Sequence, residues 1–199
     1  MEPRPILVVY GGAFDPPTLA HAHVINELSL LFTGSVTYFV VPSINHKFKV
    51  TTTTYTTRLH MCRLAFREEI VISDAESMAA ILHPGEIITT KILHTLLSDE
   101  YPEMDIRFVI GVDNADTIDT WSHSEWIKEN ISFIVIPRGG YTPIMSWYRN
   151  SNKHIFIEGF REVDGSSTEI RNAIKDNNIE SINAKILPSV LELYMDSMR

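Results

Sequence analysis

Thr18 and His21 stand three residues apart, just after the small and rigid run Gly11-Gly12-Ala13-Phe14-Asp15-Pro16-Pro17. A hydroxyl and an imidazole at that spacing fall on one side of a first helical turn, where both can face one anion. Far downstream, Ser166-Ser167-Thr168-Glu169-Ile170-Arg171 brings hydroxyls and a guanidinium together. A Ser/Thr-rich helix start offers hydroxyls, N–H groups and the positive dipole end to phosphates. An arginine one turn in can fork onto phosphate oxygens. The chemistry these residues suit is the binding of phosphate groups. Each stretch also has a plainer reading. The first is a strand-to-helix turn with a partly buried histidine, and the second is a well-capped helix with a surface arginine.

The elements around these residues favour the chemical reading. Ile6 to Tyr10 is an apolar run that reads as a buried strand, and Ala22 to Phe32 reads as a helix. Strand, glycine turn and helix set free N–H groups in front of an anion. Further strands are expected at Val36–Val41, Ile70–Ile72, Ile106–Ile110, Phe133–Ile136 and His154–Ile157. Helices are expected at Tyr55–Glu68, Glu86–Leu97 and Leu187–Met198, and another opens at the Ser166–Glu169 stretch and runs through Lys175. Ser122 with Glu125 and Ser166 with Glu169 fit capping boxes. Ala75 to Pro84 has no clear period, and Thr51 to Thr54 reads as a mobile loop. Near-continuous apolar strands alternating with helices predict an α/β fold. The expected form is a Rossmann-like, doubly wound parallel sheet with helices on both faces and a small C-terminal helical region, about 166–199. Ligands bind such sheets beyond the strand ends, at the switch in strand order. No G-x-G-x-x-G follows the first strand, so an NAD-dependent dehydrogenase is not supported.

The bulk composition narrows the classes. The chain has 199 residues, suited to a single domain spanning 1–199, and 44% of them are hydrophobic. A net charge of −8 argues against a nucleic-acid partner. Cys62 is the only cysteine, so no internal disulfide can form and a reducing, cytoplasmic setting is expected. The Met1-Glu2-Pro3-Arg4-Pro5 start does not read as a signal peptide, and no apolar run reaches the length of a membrane span. The histidines show no metal-ligand spacing, so no protein-held metal site is expected. The sequence leaves a homo-oligomer open.

The opening stretch resembles the G-x-F-D-x-x-[H/T]-x-G-H signature of the nucleotidyltransferase superfamily. It matches at Gly12, Phe14, Asp15, Thr18 and His21, and Ala20 stands where that family has glycine. The branch most similar is the nicotinate (or nicotinamide) mononucleotide adenylyltransferases. Ser166 to Arg171 resembles the same branch's I-S-S-T-x-I-R element, with Gly165 in place of the isoleucine. His46-Lys47 is similar to its P-P-H-[KR] loop, with Asn45 at the second proline. Gly111-Val112-Asp113, Thr120-Trp121, Ile88-Thr89 and Arg138-Gly139-Gly140-Tyr141 are similar to its remaining elements, and Ile88 replaces the usual tyrosine.

The resemblance implies transfer of AMP from ATP to nicotinate mononucleotide, with Mg²⁺ accompanying the triphosphate. It implies catalytic roles for His21, Thr18 and Arg171. It places Gly12, Ala13, Phe14 and Asp113 on ATP, together with Ser167, Thr168, His21 and Arg171. On the acceptor it places Lys47, Thr89, Trp121 and Arg138. Simpler readings stand beside several of these. Trp121 reads equally as a core tryptophan, Thr89 as a solvated helix-start residue, Asp113 as a turn aspartate, and Lys47 and Arg138 as surface charges. Other readings of function are nicotinamide mononucleotide as acceptor, a pantetheine-phosphate adenylyltransferase, a cytidylyltransferase, or a nucleotide sensor without catalysis. Ala20, Asn45 and Gly165 are the departures that keep the sensor open.

Overall fold

The computed structural model describes residues 4–44, 50–149 and 152–198. Six strands form one all-parallel sheet: β1 (Ile6–Gly12), β2 (Val36–Pro42), β3 (Val71–Ile72), β4 (Asp105–Gly111), β5 (Ser132–Ile136) and β6 (Ile155–Phe156). Their spatial order is β3-β2-β1-β4-β5-β6. The chain therefore winds outward from β1 on one side, then returns to β4 and winds outward on the other. The reversal opens a crevice at the C-terminal ends of β1 and β4. Gly11 and Gly12 end β1, and Gly111 ends β4, so both glycine turns lie at that crevice.

Alternation along the strands divides the apolar residues between two faces. Leu7 and Val9 pack with Phe39, Val41, Phe108, Phe133 and Val135 under α3 (Ala75–Leu82) and α4 (Thr90–Glu100). Val8 packs on the opposite face with Val40, Val109 and Ile134, under α1 (Leu19–Leu31) and α2 (Tyr55–Ala65). A further apolar cluster joins Met61 of α2 to the C-terminal helices, α7 (Ser167–Lys175) and α8 (Pro188–Asp196). This is the doubly wound arrangement with its C-terminal helical part that the strand pattern predicts.

Several boundaries differ from the sequence reading, each for a local reason. The periodless stretch forms α3, which ends just before Pro84. Helix α4 begins at Thr90 rather than Glu86, because Gly85 takes φ +83° and Thr89 caps the helix by accepting the Ile92 N–H at 3.3 Å. The Ser122–Glu125 capping box does not form. His123, at φ 63°, leads into α6 (Ser124–Asn130) with no side-chain cap. Two short pieces follow β4 that the sequence did not suggest, α5 (Val112–Asp116) and a 3-10 turn (Ile118–Thr120). At Ser166 only half of the predicted box is made. The serine accepts the Glu169 N–H at 3.1 Å, while the Glu169 carboxylate pairs with Lys185 instead.

Candidate active site

Thr18 caps α1, and His21 occupies the third helical position, so the two side chains meet in a reciprocal capping box. The Thr18 N–H donates to His21 Nδ1 at 3.0 Å, and the His21 N–H approaches Thr18 Oγ1 at 3.4 Å. An Nδ1 that accepts an N–H carries no proton of its own, so this network places the imidazole proton on Nε2. The Thr18 hydroxyl donates to the Gly165 carbonyl at 2.7 Å. Thr18 is 2% exposed. A hydroxyl has one proton, and this one is committed inside the protein. Thr18 Oγ1 also lies 2.8 Å from His21 Nδ1, so the residue aims His21 and ties the loop to residue 165.

That tie is one of a set joining the two distant motifs. The Ser167 hydroxyl donates to the Pro16 carbonyl at 2.8 Å, and Arg171 Nη1 donates to the Asp15 carbonyl at 2.8 Å. The Leu19 N–H donates to the Lys185 carbonyl at 2.9 Å. The Ser167 hydroxyl is thus bonded to the loop, and its backbone opens α7. Arg171 also donates to Thr168 Oγ1 at 3.1 Å, which leaves the Thr168 hydroxyl proton available. A guanidinium has five N–H donors, so Arg171 keeps donors for a ligand after both bonds. Gly165 takes φ +134°, and a Cβ there would come within 3.2 Å of the Lys185 side chain. Glycine suits this backbone better than the isoleucine of the resembled motif.

Gly12 and Phe14 are coupled by space. A Cβ on Gly12 would meet the Phe14 ring at 3.1 Å, and Phe14 itself takes φ 48° with 2% exposure. Its ring packs edge-on to Tyr10 and His21, with centroids 5.5 and 5.2 Å apart. Phe14 therefore supports the imidazole from below, and Ala13 is the partly exposed backbone of the turn.

The loop is anchored by two buried charges, Asp15, which matches a motif position, and Arg58, which the motif reading did not single out. Asp15 is 2% exposed. Its carboxylate accepts the Thr52 N–H at 2.5 Å, the Thr52 hydroxyl at 2.8 Å and the Thr53 hydroxyl at 2.6 Å. The threonine cluster expected to be a mobile loop is instead fastened to this carboxylate, and Thr54 caps α2. Arg58, 1% exposed, donates from Nη1 to the Ala13 carbonyl at 2.8 Å and the Ser43 carbonyl at 2.6 Å. Burial lowers its pKa, while Asp15, Cys62, Glu76 and Tyr55 pull it back up. The available sequence signal was an arginine four residues before Cys62, on the inward face of an amphipathic helix. Glu76 accepts the Ile44 N–H at 2.7 Å. Burial pushes its carboxyl up to about 7 against the opposing pull of that bond and of Arg58.

Beyond β4 and β5 the structure brings Arg138 and Asp113 together. Arg138 Nη1 pairs with Asp113 Oδ2. Asp113 Oδ1 is sealed without a hydrogen-bond partner among the described residues, and a Cβ on Gly111 would approach it to 2.5 Å. An incoming ribose hydroxyl would therefore share Oδ2 with Arg138. Trp121 follows the 3-10 turn and is half-buried against the core cluster to which α4 contributes. Thr89 caps α4, and its neighbour Ile88, 7% exposed, belongs to the core. Lys47 lies outside the described residues, as do Asn45 and His46.

Comparison with known proteins follows the same lines. Over 195 residues the chain is 29% identical to the probable nicotinate-nucleotide adenylyltransferase of Acholeplasma laidlawii, covering 94% of this chain and 95% of that one. The probable nicotinate-nucleotide adenylyltransferase of Staphylococcus epidermidis is 28% identical over 195 residues, covering 95% and 93%. In three dimensions it resembles Plasmodium falciparum nicotinic acid mononucleotide adenylyltransferase complexed with NaAD. The TM-score is 0.81 at 24% identity, over 96% of this chain and 95% of that one, a likeness of fold. Residues 9–173, from β1 to α7, match the cytidylyltransferase-like family, which spans both ends of the site, and the chain belongs to that family.

Proposed function

We propose that this protein transfers AMP from ATP to nicotinate mononucleotide, releasing pyrophosphate and giving deamido-NAD. One observation carries the reading. The first glycine turn and the start of α7, about 150 residues apart, are fastened together by Thr18–Gly165, Ser167–Pro16 and Arg171–Asp15 bonds beside the switch crevice. That convergence brings α1, which carries His21, and α7, which carries Arg171, against the same loop, as a single triphosphate requires. The names of the curated relatives support the acceptor.

In this reaction a phosphate oxygen of the mononucleotide attacks the α-phosphorus of ATP. The bond from that phosphorus to the bridging oxygen breaks, and pyrophosphate leaves with the electron pair. The nucleophile is already an anion, so the protein's work is alignment and charge stabilisation. His21 donates from Nε2 to the α-phosphate as charge builds. Arg171, the Thr168 hydroxyl and the α7 N–H groups hold the leaving phosphates. Asp113 takes the ribose and Arg138 the acceptor's phosphate, with the Trp121 ring stacking on the pyridine. Mg²⁺ would enter on the triphosphate and neutralise charge there; among the described residues no group of three or more His, Cys, Asp or Glu gathers to hold an ion.

A pyrophosphate-release assay with ATP, Mg²⁺ and each of nicotinate mononucleotide, nicotinamide mononucleotide and phosphopantetheine tests this. The expected result is turnover highest with nicotinate mononucleotide. Preference for the amide would move the acceptor, preference for phosphopantetheine would move the branch, and no product with any of them would leave a sensor.

A further inference from the structure

Helix α5 carries a second carboxylate one turn beyond Asp113. Asp116 Oδ2 accepts the Tyr141 hydroxyl at 2.9 Å and the Ile144 N–H at 2.7 Å, and Oδ1 accepts the Met145 N–H at 2.8 Å. Residues three apart lie on one helix face, so Asp113 and Asp116 grip the same loop, one at Arg138 and the other at residues 141–145. The sequence motifs do not include Asp116, and nothing in the proposed reaction uses it.

This loop has reason to need a clasp. From Arg138 to Trp147 it has no helix or strand, and its root is Gly139-Gly140, with Gly140 at φ +70°. Two glycines leave the direction of the chain poorly determined. The Arg138–Asp113 pair is too exposed to fix it alone, with the arginine side chain 58% accessible. A carboxylate that accepts two backbone N–H groups and a phenol is far more directive. Burial pushes the Asp116 carboxyl up, but the Ile144, Met145 and Tyr141 bonds outweigh it and hold the group below the usual carboxylate range. The far end of the loop is secured separately. Trp147 Nε1 donates to the Ala115 carbonyl at 3.0 Å, and Tyr148 is fully buried. Removing Asp116 would therefore release the intervening chain and leave the fold in place.

We propose that Asp116 is a positioning residue for the acceptor: it clasps residues 141–145 so that Arg138 is presented beside Asp113 for the mononucleotide phosphate. Asp116 itself touches no substrate. The inference rests on the acceptor role given to Arg138 in the proposed function. It extends that reading to a residue whose effect must pass through Arg138.

The test is steady-state kinetics with ATP and nicotinate mononucleotide on wild type, Asp116→Ala, Asp116→Asn, Arg138→Ala and the Asp116→Ala/Arg138→Ala double variant. Asp116→Ala should raise KM for the mononucleotide about tenfold, with kcat and the KM for ATP within about twofold of wild type. Asp116→Asn, which keeps the shape and part of the acceptor capacity, should fall between the two. The double variant should be no worse than Arg138→Ala within about twofold, because residues acting through one another are not additive. Unchanged mononucleotide KM in Asp116→Ala, an equal rise in both KM values, or multiplied effects in the double variant would each overturn the clasp. A wild type that forms no dinucleotide would overturn the proposed function and this inference together. A normal wild type with an indifferent Asp116→Ala would overturn the inference alone.

Discussion

His21 is held by its own helix and by the ring beneath it. Thr18 donates its N–H to Nδ1, Phe14 packs edge-on at 5.2 Å, and the tautomer that results has its proton on Nε2. Such a donor is oriented before substrate arrives, and preorganisation is what makes a hydrogen bond to developing charge effective. Replacing His21 by alanine is expected to lower kcat about 10²- to 10³-fold, the scale of losing one preorganised donor. Measured at saturating ATP and mononucleotide, a kcat near that of wild type would remove the imidazole from the chemistry. The Thr18 and Ser167 hydroxyls tie the first glycine turn to the C-terminal part of the chain. Both hydroxyl protons are committed to backbone carbonyls, which sequence spacing cannot reveal because the acceptors are about 150 residues away.

At the scale of elements, the site depends on how the ends of β1, β2 and α2 are joined. Arg58 reaches from α2 to the carbonyls of Ala13 and Ser43, one beyond each strand. Replacing it with methionine would keep much of the volume but leave both carbonyls without this donor and remove one of the two guanidinium charges near Asp15. The expected loss is about 2–4 kcal/mol of unfolding free energy, the range for breaking a buried charged network. Urea denaturation measures it, and a loss below about 0.5 kcal/mol, the scale of an ordinary surface change, would show that the buried charge is not structural. Arg58 was hard to recognise because helical periodicity marks which face is inward and not what an inward arginine bonds. Asp15 presents the same difficulty. It matches a motif position, yet its carboxylate serves the Thr52–Thr53 segment rather than a ligand.

The molecule as a whole carries two buried groups whose titrations oppose one another. Burial lowers His154 to about 4, with Lys153 adding to the effect, and its Nδ1 accepts the Phe133 N–H at 3.2 Å. Between that value and the ordinary histidine pKa of about 6.5, the unfolded chain binds more protons, so this group makes stability rise with pH. Glu76, raised to about 7 by burial, does the reverse. The folded chain holds its proton longer, so from an ordinary carboxyl pKa of about 4.3 to about 7 this group makes stability fall as pH rises. Relative to wild type, His154→Gln should gain stability as pH drops from about 6.5 to 4, and Glu76→Gln should gain as pH climbs from about 4.5 to 7. Denaturation midpoints across that range check both signs, and parallel curves for wild type and either variant would contradict the assignment for that residue.

Strand positions and the capped start of α7 are local properties, and the sequence alone determined them; the first helix, expected from Ala22, instead begins at Leu19 under the Thr18 cap. Apolar period, glycine and proline placement, and Ser/Thr caps act over a few residues, so they can be read without knowing the fold. The Ser122–Glu125 box shows the limit: the pattern was present, and the chain nevertheless entered α6 through a left-handed His123. What only the tertiary structure decided was how side chains are spent. It gave the Thr18 proton to Gly165, the Asp15 carboxylate to two threonines, Arg58 to two strand ends and Asp116 to an irregular loop. Each of these bonds joins residues that become neighbours only when the sheet closes its order around β1 and β4, and no short-range pattern encodes that meeting.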